Sequence, residues 1–142
     1  MARNPGRPMS PHLTIWKWGP HMLVSILHRA TGVTMATVGA MTFVWWLAAA
    51  ASGPAAYETF SYYVFERTDG GTLGAITNIL FRIAAVALTW VFFQHMANGI
   101  RHLFQDMGAG YELKTNKMSA MATLAVSTIV TLALWAIILT RH

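Results

Sequence analysis

The sequence predicts an all-α membrane protein with three transmembrane helices. Of its 142 residues, 55% are hydrophobic and only 11% are charged, a balance that is too apolar for an ordinary soluble domain. Three apolar stretches are each long enough to cross a bilayer, which takes about 20 residues of helix. We expect the whole chain, 1–142, to form one membrane domain.

These stretches divide the chain into six segments. The N-terminal segment is polar, with four prolines, three basic residues and two tryptophans, and we expect it to lie on the membrane surface. Within the predicted outer loop, we expect residues 57–65 to form a short interfacial segment. The predicted ranges are 1–20 for the N-terminal segment, 21–51 for helix I, 52–74 for the outer loop, 75–104 for helix II, 105–117 for the inner loop and 118–140 for helix III.

The basic residues are distributed unequally across the membrane. Three spans put the termini on opposite sides, and the side of the N-terminus then holds seven of the ten lysines and arginines. Because cytoplasmic loops are enriched in these residues, we expect a cytoplasmic N-terminus and a periplasmic C-terminus. The chain shows no presequence, which favours a bacterial cytoplasmic (inner) membrane over a mitochondrial precursor.

Helix II carries a polar stripe near its end. Successive helical residues rotate by about 100°, so His95, His102 and Asp106 share one face, and Gly99 follows His95 by one turn. The apolar run 83–93 precedes His95 and gives its imidazole hydrophobic surroundings. Imidazole is a common axial ligand of haem iron, and Gly99 leaves room for a flat group. Taken alone, His95 is equally well explained by a hydrogen bond to a neighbouring helix.

Helix I begins at the same membrane face with a second polar cluster, Ser25, His28 and Arg29. Ionisable residues at membrane depth are costly and usually mark a functional path. Ser25 and Arg29 are four residues apart and share a face, and together they can hydrogen-bond a quinone carbonyl oxygen. Arg29 alone is more often an anchor that contacts lipid phosphate.

A six-coordinate haem b needs a second axial ligand. Helix III has no histidine before His142, which lies on the wrong side of the membrane. His28 is nearer the surface and better suited to a haem propionate. We therefore expect a partner subunit to supply the second ligand. His102, near the interface, is also explained by a bond to lipid or to a loop carbonyl.

Several kinds of chemistry are excluded by the residues that the chain lacks. There is no cysteine, which excludes disulfides, thiolate catalysis and iron–sulfur ligation within this chain. The chain also has no phosphate-binding glycine loop, no zinc-type histidine pair and no nucleophile with an adjacent base. Any substrate oxidation must therefore take place in another subunit.

Three stretches carry a specific resemblance to a known family. Residues 7–17 read RPMSPHLTIWK, residues 25–32 read SILHRATG and residues 95–108 read HMANGIRHLFQDMG. Together they resemble the cytochrome b membrane-anchor subunit of succinate dehydrogenase (respiratory complex II), the larger of its two anchors. Met9, where leucine is usual, and Gln94, where an aromatic residue often precedes the ligand, depart from the family pattern.

The resemblance implies a succinate:quinone oxidoreductase in which this chain and a smaller three-span anchor dock a flavoprotein and an iron–sulfur protein. The residue matching His95 is an axial haem b ligand in the family, and the sister anchor supplies the other. Residues matching His28 and Arg29 approach the haem propionates, and Ser25 and Arg29 match the quinone site. The residue matching Asp106 lies near that site. The predicted site residues are Ser25, His28, Arg29, His95, Gly99, His102 and Asp106.

Three other functions fit parts of the sequence. The anchor of a fumarate reductase would serve the reverse reaction, with quinol as the electron donor. A haemless scaffold would only dock soluble subunits. A small transporter would need a polar path, and helices I and III carry few polar groups at mid-membrane. The choice between ubiquinone and menaquinone, and whether haem is required for turnover, stay open at this point.

Overall fold

The computed structural model describes residue 6 and residues 17–66 and 71–141. The described part contains helices and no strand, and three of its helical spans are long and apolar enough to cross a membrane: Pro20–Ala51, Gly74–Asp106 and Leu113–Thr140. The predicted all-α class and the three spans are confirmed. Most of the predicted N-terminal surface segment, 1–20, lies outside the described residues.

The first span consists of two α-helices joined by a π-helical turn. α1 (Pro20–Thr34) follows Gly19, whose carbonyl oxygen accepts the N–H of Met22. Proline suits the first helical turn because an amide hydrogen there would have no partner within the helix. The π turn, Met35–Gly39, continues directly into α2 (Ala40–Ala51). Because a π turn contains more residues than an α turn, it changes which residues of α2 continue the face of α1.

The connection after the first span contains another helix, α3 (Pro54–Ser61), in the segment that the sequence predicts as the outer loop. Gly53 permits the sharp turn before it, because its φ of 103° is a conformation that favours glycine. Phe60 is buried together with Ala49 and Val64. This packing stabilises a short helix that would be marginal in isolation.

α4 (Gly71–Asp106) and α5 (Leu113–Arg141) are the two longest helices and pack side by side. Gly108 and Gly110, both with positive φ, lie in the short connection between them. α1 packs against both α4 and α5, whereas α2 packs on α3 and makes no contact with either long helix in the described part of the chain. The three-helix contact is therefore confined to the end of the bundle where α1 begins and α4 ends.

The interior of this bundle is polar, and its exterior is apolar. Gln94, Asn98 and Ser127 are fully buried, whereas most of the large apolar side chains are exposed. This distribution fits a membrane protein, because apolar side chains gain little by leaving lipid and polar side chains hold the helices together. The polar interior supplies the framework of the candidate site.

Candidate functional site

The imidazole of His95 lies against α1. Its Nδ1 is 3.1 Å from Thr31 Oγ1 and 3.2 Å from the main-chain oxygen of His28. The Thr31 hydroxyl donates to that same carbonyl oxygen at 3.1 Å, so Thr31 Oγ1 is left to accept. These contacts are satisfied when Nδ1 of His95 carries the hydrogen, which leaves the lone pair on Nε2. An imidazole in this state binds a metal through Nε2.

Two glycines lie at this contact between α1 and α4. A Cβ added at Gly32 would lie 3.0 Å from Cε1 of His95, and one added at Gly99 would lie 3.9 Å from Cε1 of His28. The first distance is tighter than an ordinary van der Waals contact, and the second is not. Gly32 is therefore the position at which α1 makes room for the His95 ring. The sequence predicts space for a flat group beside Gly99. In the structure, that side of Gly99 faces the His28 ring.

Three histidines form a cluster at the same place. The His28 ring is stacked on His95, with centroids 4.1 Å apart, and is tilted against His102 at 5.1 Å. Nδ1 of His28 is buried and has no hydrogen-bond partner among the described residues. Buried polar atoms are normally paired, so this nitrogen could bond to a group bound from outside the chain.

A cleft of about 390 Å³ opens beside the cluster. It brings together three of the predicted site residues: Ser25, Arg29 and His102. Asp106 is exposed and does not line the cleft. The other residues that line it are His21, Met22, Ile26, Arg101, Gln105 and Asn116.

Arg101 also lines the cleft but is not one of the predicted site residues. Its Nε donates to Ser119 Oγ at 3.0 Å, its Nη1 donates to Asn98 Oδ1 at 3.2 Å, and its Nη2 donates to Asn116 Oδ1. The spacing of three residues between Asn98 and Arg101 predicts a shared helix face. The two acceptors on α5 become visible only once the helices are packed.

Gln94, the departure from the family pattern, points to α5 and not to α1. Its Oε1 accepts from Ser127 Oγ at 2.6 Å, and its Nε2 donates to Thr123 Oγ1 at 3.5 Å. The residue therefore belongs to the interface between α4 and α5. His95, the next residue in the sequence, contacts α1 instead.

The donor set fits haem better than it fits a free metal ion. Among the described residues, no group of three or more histidine, aspartate or glutamate side chains could hold a metal ion, and this includes the three clustered histidines. Haem iron needs only one or two axial donors from protein. His95 could supply one through Nε2, because its Nδ1 is already held by α1.

Comparison with known proteins agrees with this fold. The model of the succinate dehydrogenase/fumarate reductase transmembrane subunit family matches residues 3–134. The chain is 33% identical over 129 residues to the succinate dehydrogenase cytochrome b556 subunit of Rickettsia prowazekii, with 91% of this chain and 90% of the relative covered.

Two further relatives are a bacterial and a mitochondrial protein. The cytochrome b556 subunit of Paracoccus denitrificans is 30% identical over 123 residues, which cover 87% of this chain and 85% of the relative. The mitochondrial cytochrome b560 subunit of Mus musculus is 31% identical over 121 residues, which cover 85% of this chain and 65% of the relative. The chain therefore belongs to the succinate dehydrogenase/fumarate reductase transmembrane subunit family, as a cytochrome b anchor subunit of complex II.

Proposed function

We propose that this chain is the haem b-binding anchor of a succinate:quinone oxidoreductase and forms part of its quinone-reduction site. Membership of the family supports the coarser role, that of a cytochrome b subunit in an integral membrane complex. The observation that carries the proposal is the orientation of His95, whose Nδ1 is held by α1 while Nε2 is left for iron. When bound, haem would supply a one-electron redox centre.

The haem-holding residues lie on two helices. His95 on α4 would hold the haem iron, and the buried Nδ1 of His28 on α1 would bond a propionate, with Arg29 as the second propionate partner. His102 packs on His28, and both His102 and Gly99 would border the bound haem. A smaller membrane anchor would supply the second ligand to the iron.

The quinone occupies the cleft beside this cluster. The Ser25 hydroxyl and the Arg29 guanidinium donate hydrogen bonds to the carbonyl oxygens of the quinone, and these bonds strengthen as negative charge develops on the oxygens. Reduction adds two electrons and two protons to give the quinol. The electrons come from oxidation of succinate to fumarate in the soluble subunits.

The partner subunits carry out the reactions for which this chain lacks the residues. This chain has no cysteine to hold an iron–sulfur cluster, so a flavoprotein and an iron–sulfur subunit oxidise succinate and pass its electrons to the quinone. These subunits dock at the end of the bundle that carries the cleft. The distribution of basic residues favours a cytoplasmic position for that end, and the bacterial relatives support a bacterial inner membrane.

The test is a reduced-minus-oxidised haem spectrum of the complex purified through a tag on this chain. The wild-type complex should contain the flavoprotein, the iron–sulfur subunit and a second small anchor, and should show a cytochrome b absorption band. His95→Ala should abolish that band. Met96→Ala, which alters the next residue on an exposed face, is the control and should retain it. A complex that assembles fully without any haem band would identify the chain as a haemless scaffold.

A further inference from the structure

Arg101 is a buried cation without a carboxylate partner in the described part of the chain. Its side chain is only 8% exposed, and its guanidinium bonds to three neutral oxygens, on Asn98, Asn116 and Ser119. Burying a charge is costly unless it is paired, and neutral acceptors offset only part of that cost. Ionisable residues kept inside a membrane protein usually serve its function.

The same guanidinium lines the cleft that contains Ser25 and Arg29. A guanidinium has five N–H donors, and three of them are used, so Nη1 and Nη2 each keep one N–H without an acceptor among the described residues. The residues that line the cleft include two arginines and two histidines but no carboxylate. The cleft therefore combines an uncompensated positive charge with unused hydrogen-bond donors.

We propose that Arg101 binds the quinone oxygen on which negative charge develops during reduction, an inference that rests on the function proposed above. Arg29, the other arginine of the cleft, is exposed on the surface of this chain. Arg101 is buried and held at three atoms, so its charge is oriented before the substrate arrives and is screened less. Arg101 keeps its proton throughout, because a guanidinium is not deprotonated in proteins. The two electrons arrive through the partner subunits, and two protons taken up from water end on the quinol oxygens.

A purely structural role is the alternative. Because its three acceptors lie on α4 and α5, Arg101 also clamps these helices together, and loss of the clamp would lower activity as well. The two roles differ in what they change. A binding residue changes the KM for quinone and the stability of the one-electron-reduced quinone radical, whereas a clamp changes assembly and haem content.

The experiment compares three variants of the whole membrane complex: Arg101→Gln, Arg101→Lys and Lys117→Gln. Lys117 is an exposed cation near the same end of α5 and does not line the cleft, so Lys117→Gln controls for a general loss of positive charge. Each complex is first checked for subunit content and for its haem band. The KM and kcat for a soluble quinone analogue and the radical signal by electron paramagnetic resonance are then measured.

Arg101→Gln should raise the KM about tenfold and lower the radical signal about tenfold, the size expected for one charged hydrogen bond. Arg101→Lys should raise the KM, because the forked donors are lost, but it should retain the radical because the charge remains. Lys117→Gln should match wild type in both measurements.

An unchanged KM in either assembled Arg101 variant would overturn the inference, and so would failure of both variants to assemble, which would identify a clamp. If the wild-type complex contains no haem or reduces no quinone, the proposed function itself fails. If wild type reduces quinone and only the Arg101 result is negative, this inference alone fails.

Discussion

His95 and His28 are stacked ring on ring, with centroids 4.1 Å apart and planes inclined by 10°. The main-chain oxygen of His28 also lies 3.2 Å from Nδ1 of His95. One residue of α1 therefore contacts both the face and the edge of the proposed ligand ring. Contacts of this kind hold a ligating imidazole in one tautomer and one orientation. The direction of Nε2 is thus controlled from a different helix.

Thr31→Val should weaken haem binding without abolishing it. The substitution removes the hydroxyl that faces Nδ1 of His95 and keeps nearly the same shape, while the carbonyl oxygen of His28 remains as an acceptor. Loss of an outer-shell partner costs about 10- to 100-fold in metal affinity, and we expect the lower end of this range. The measurement is the rate at which haem leaves the purified complex to an acceptor protein.

Thr31→Ser is the matched control for this prediction, because it keeps the hydroxyl and should retain haem as wild type does. Equal rates of haem loss from the valine and serine variants would contradict the role given to the hydroxyl.

Gly32→Ala should destabilise the complex and reduce its haem content. The added methyl group would lie 3.0 Å from Cε1 of His95, so the ring or the helix must move. Overpacking of this kind costs about 1–3 kcal/mol, against a gain of up to about 1 kcal/mol from the higher helix propensity of alanine. The measurement is the thermal midpoint of the purified complex together with its ratio of haem to protein.

Gly39→Ala provides the comparison for Gly32→Ala. Its added Cβ would meet the nearest atom, the backbone oxygen of Thr34, at 3.5 Å, which is an ordinary contact. It should keep the haem content and should not lower the thermal midpoint, because the gain in helix propensity is not offset by overpacking. A loss of the same size in both glycine variants would point to the backbone, and not to the His95 ring, as the cause.

Arg29→Ala should lower quinone reduction about 100-fold, the effect of removing one donor to a developing oxyanion, and Ser25→Ala should lower it about tenfold. Oxidation of succinate with a soluble dye should persist, because that reaction takes place in the partner subunits. Lys114→Ala, an exposed cation that does not line the cleft, should leave both activities unchanged. Normal quinone turnover in Arg29→Ala would remove this residue from the site.

Gln94→Leu should lower the stability of the membrane domain by about 1 kcal/mol, a typical value for a polar contact between membrane helices. Gln94 is fully buried and bonds Ser127 and Thr123 on α5. Because its side chain points away from α1, the position and the intensity of the haem band should not change. Thermal unfolding of the complex followed at the haem band measures both effects.

Phe92→Leu changes an exposed apolar residue of the same helix and should not alter stability. The double variant Gln94→Leu with Ser127→Ala should lose less than the sum of the two single variants, since the two residues share one hydrogen bond. A shifted haem band in Gln94→Leu would contradict the assignment of this side chain to the α4–α5 interface.

The regular spacing of residues in a helix predicts which side chains share a face. Ser25 and Arg29 are four residues apart, and the structure has both of them lining one cleft with His102. Asp106 was predicted on the same stripe but lies outside the cleft lining. Arg101 and Thr31 were not predicted as site residues, because their importance depends on partners from other helices.

Hydropathy along the chain is sufficient to predict three spans and an all-α protein, because the preference of a segment for lipid depends mainly on its own residues. The motifs are likewise sufficient to indicate the family. The sequence does not predict which helix each polar residue faces, since helical periodicity defines a face but not the neighbour packed against it. Only the packing of the helices determines that His95 contacts α1 and that Gln94 contacts α5. The same packing determines that Arg101 is buried between α4 and α5 beside the cleft.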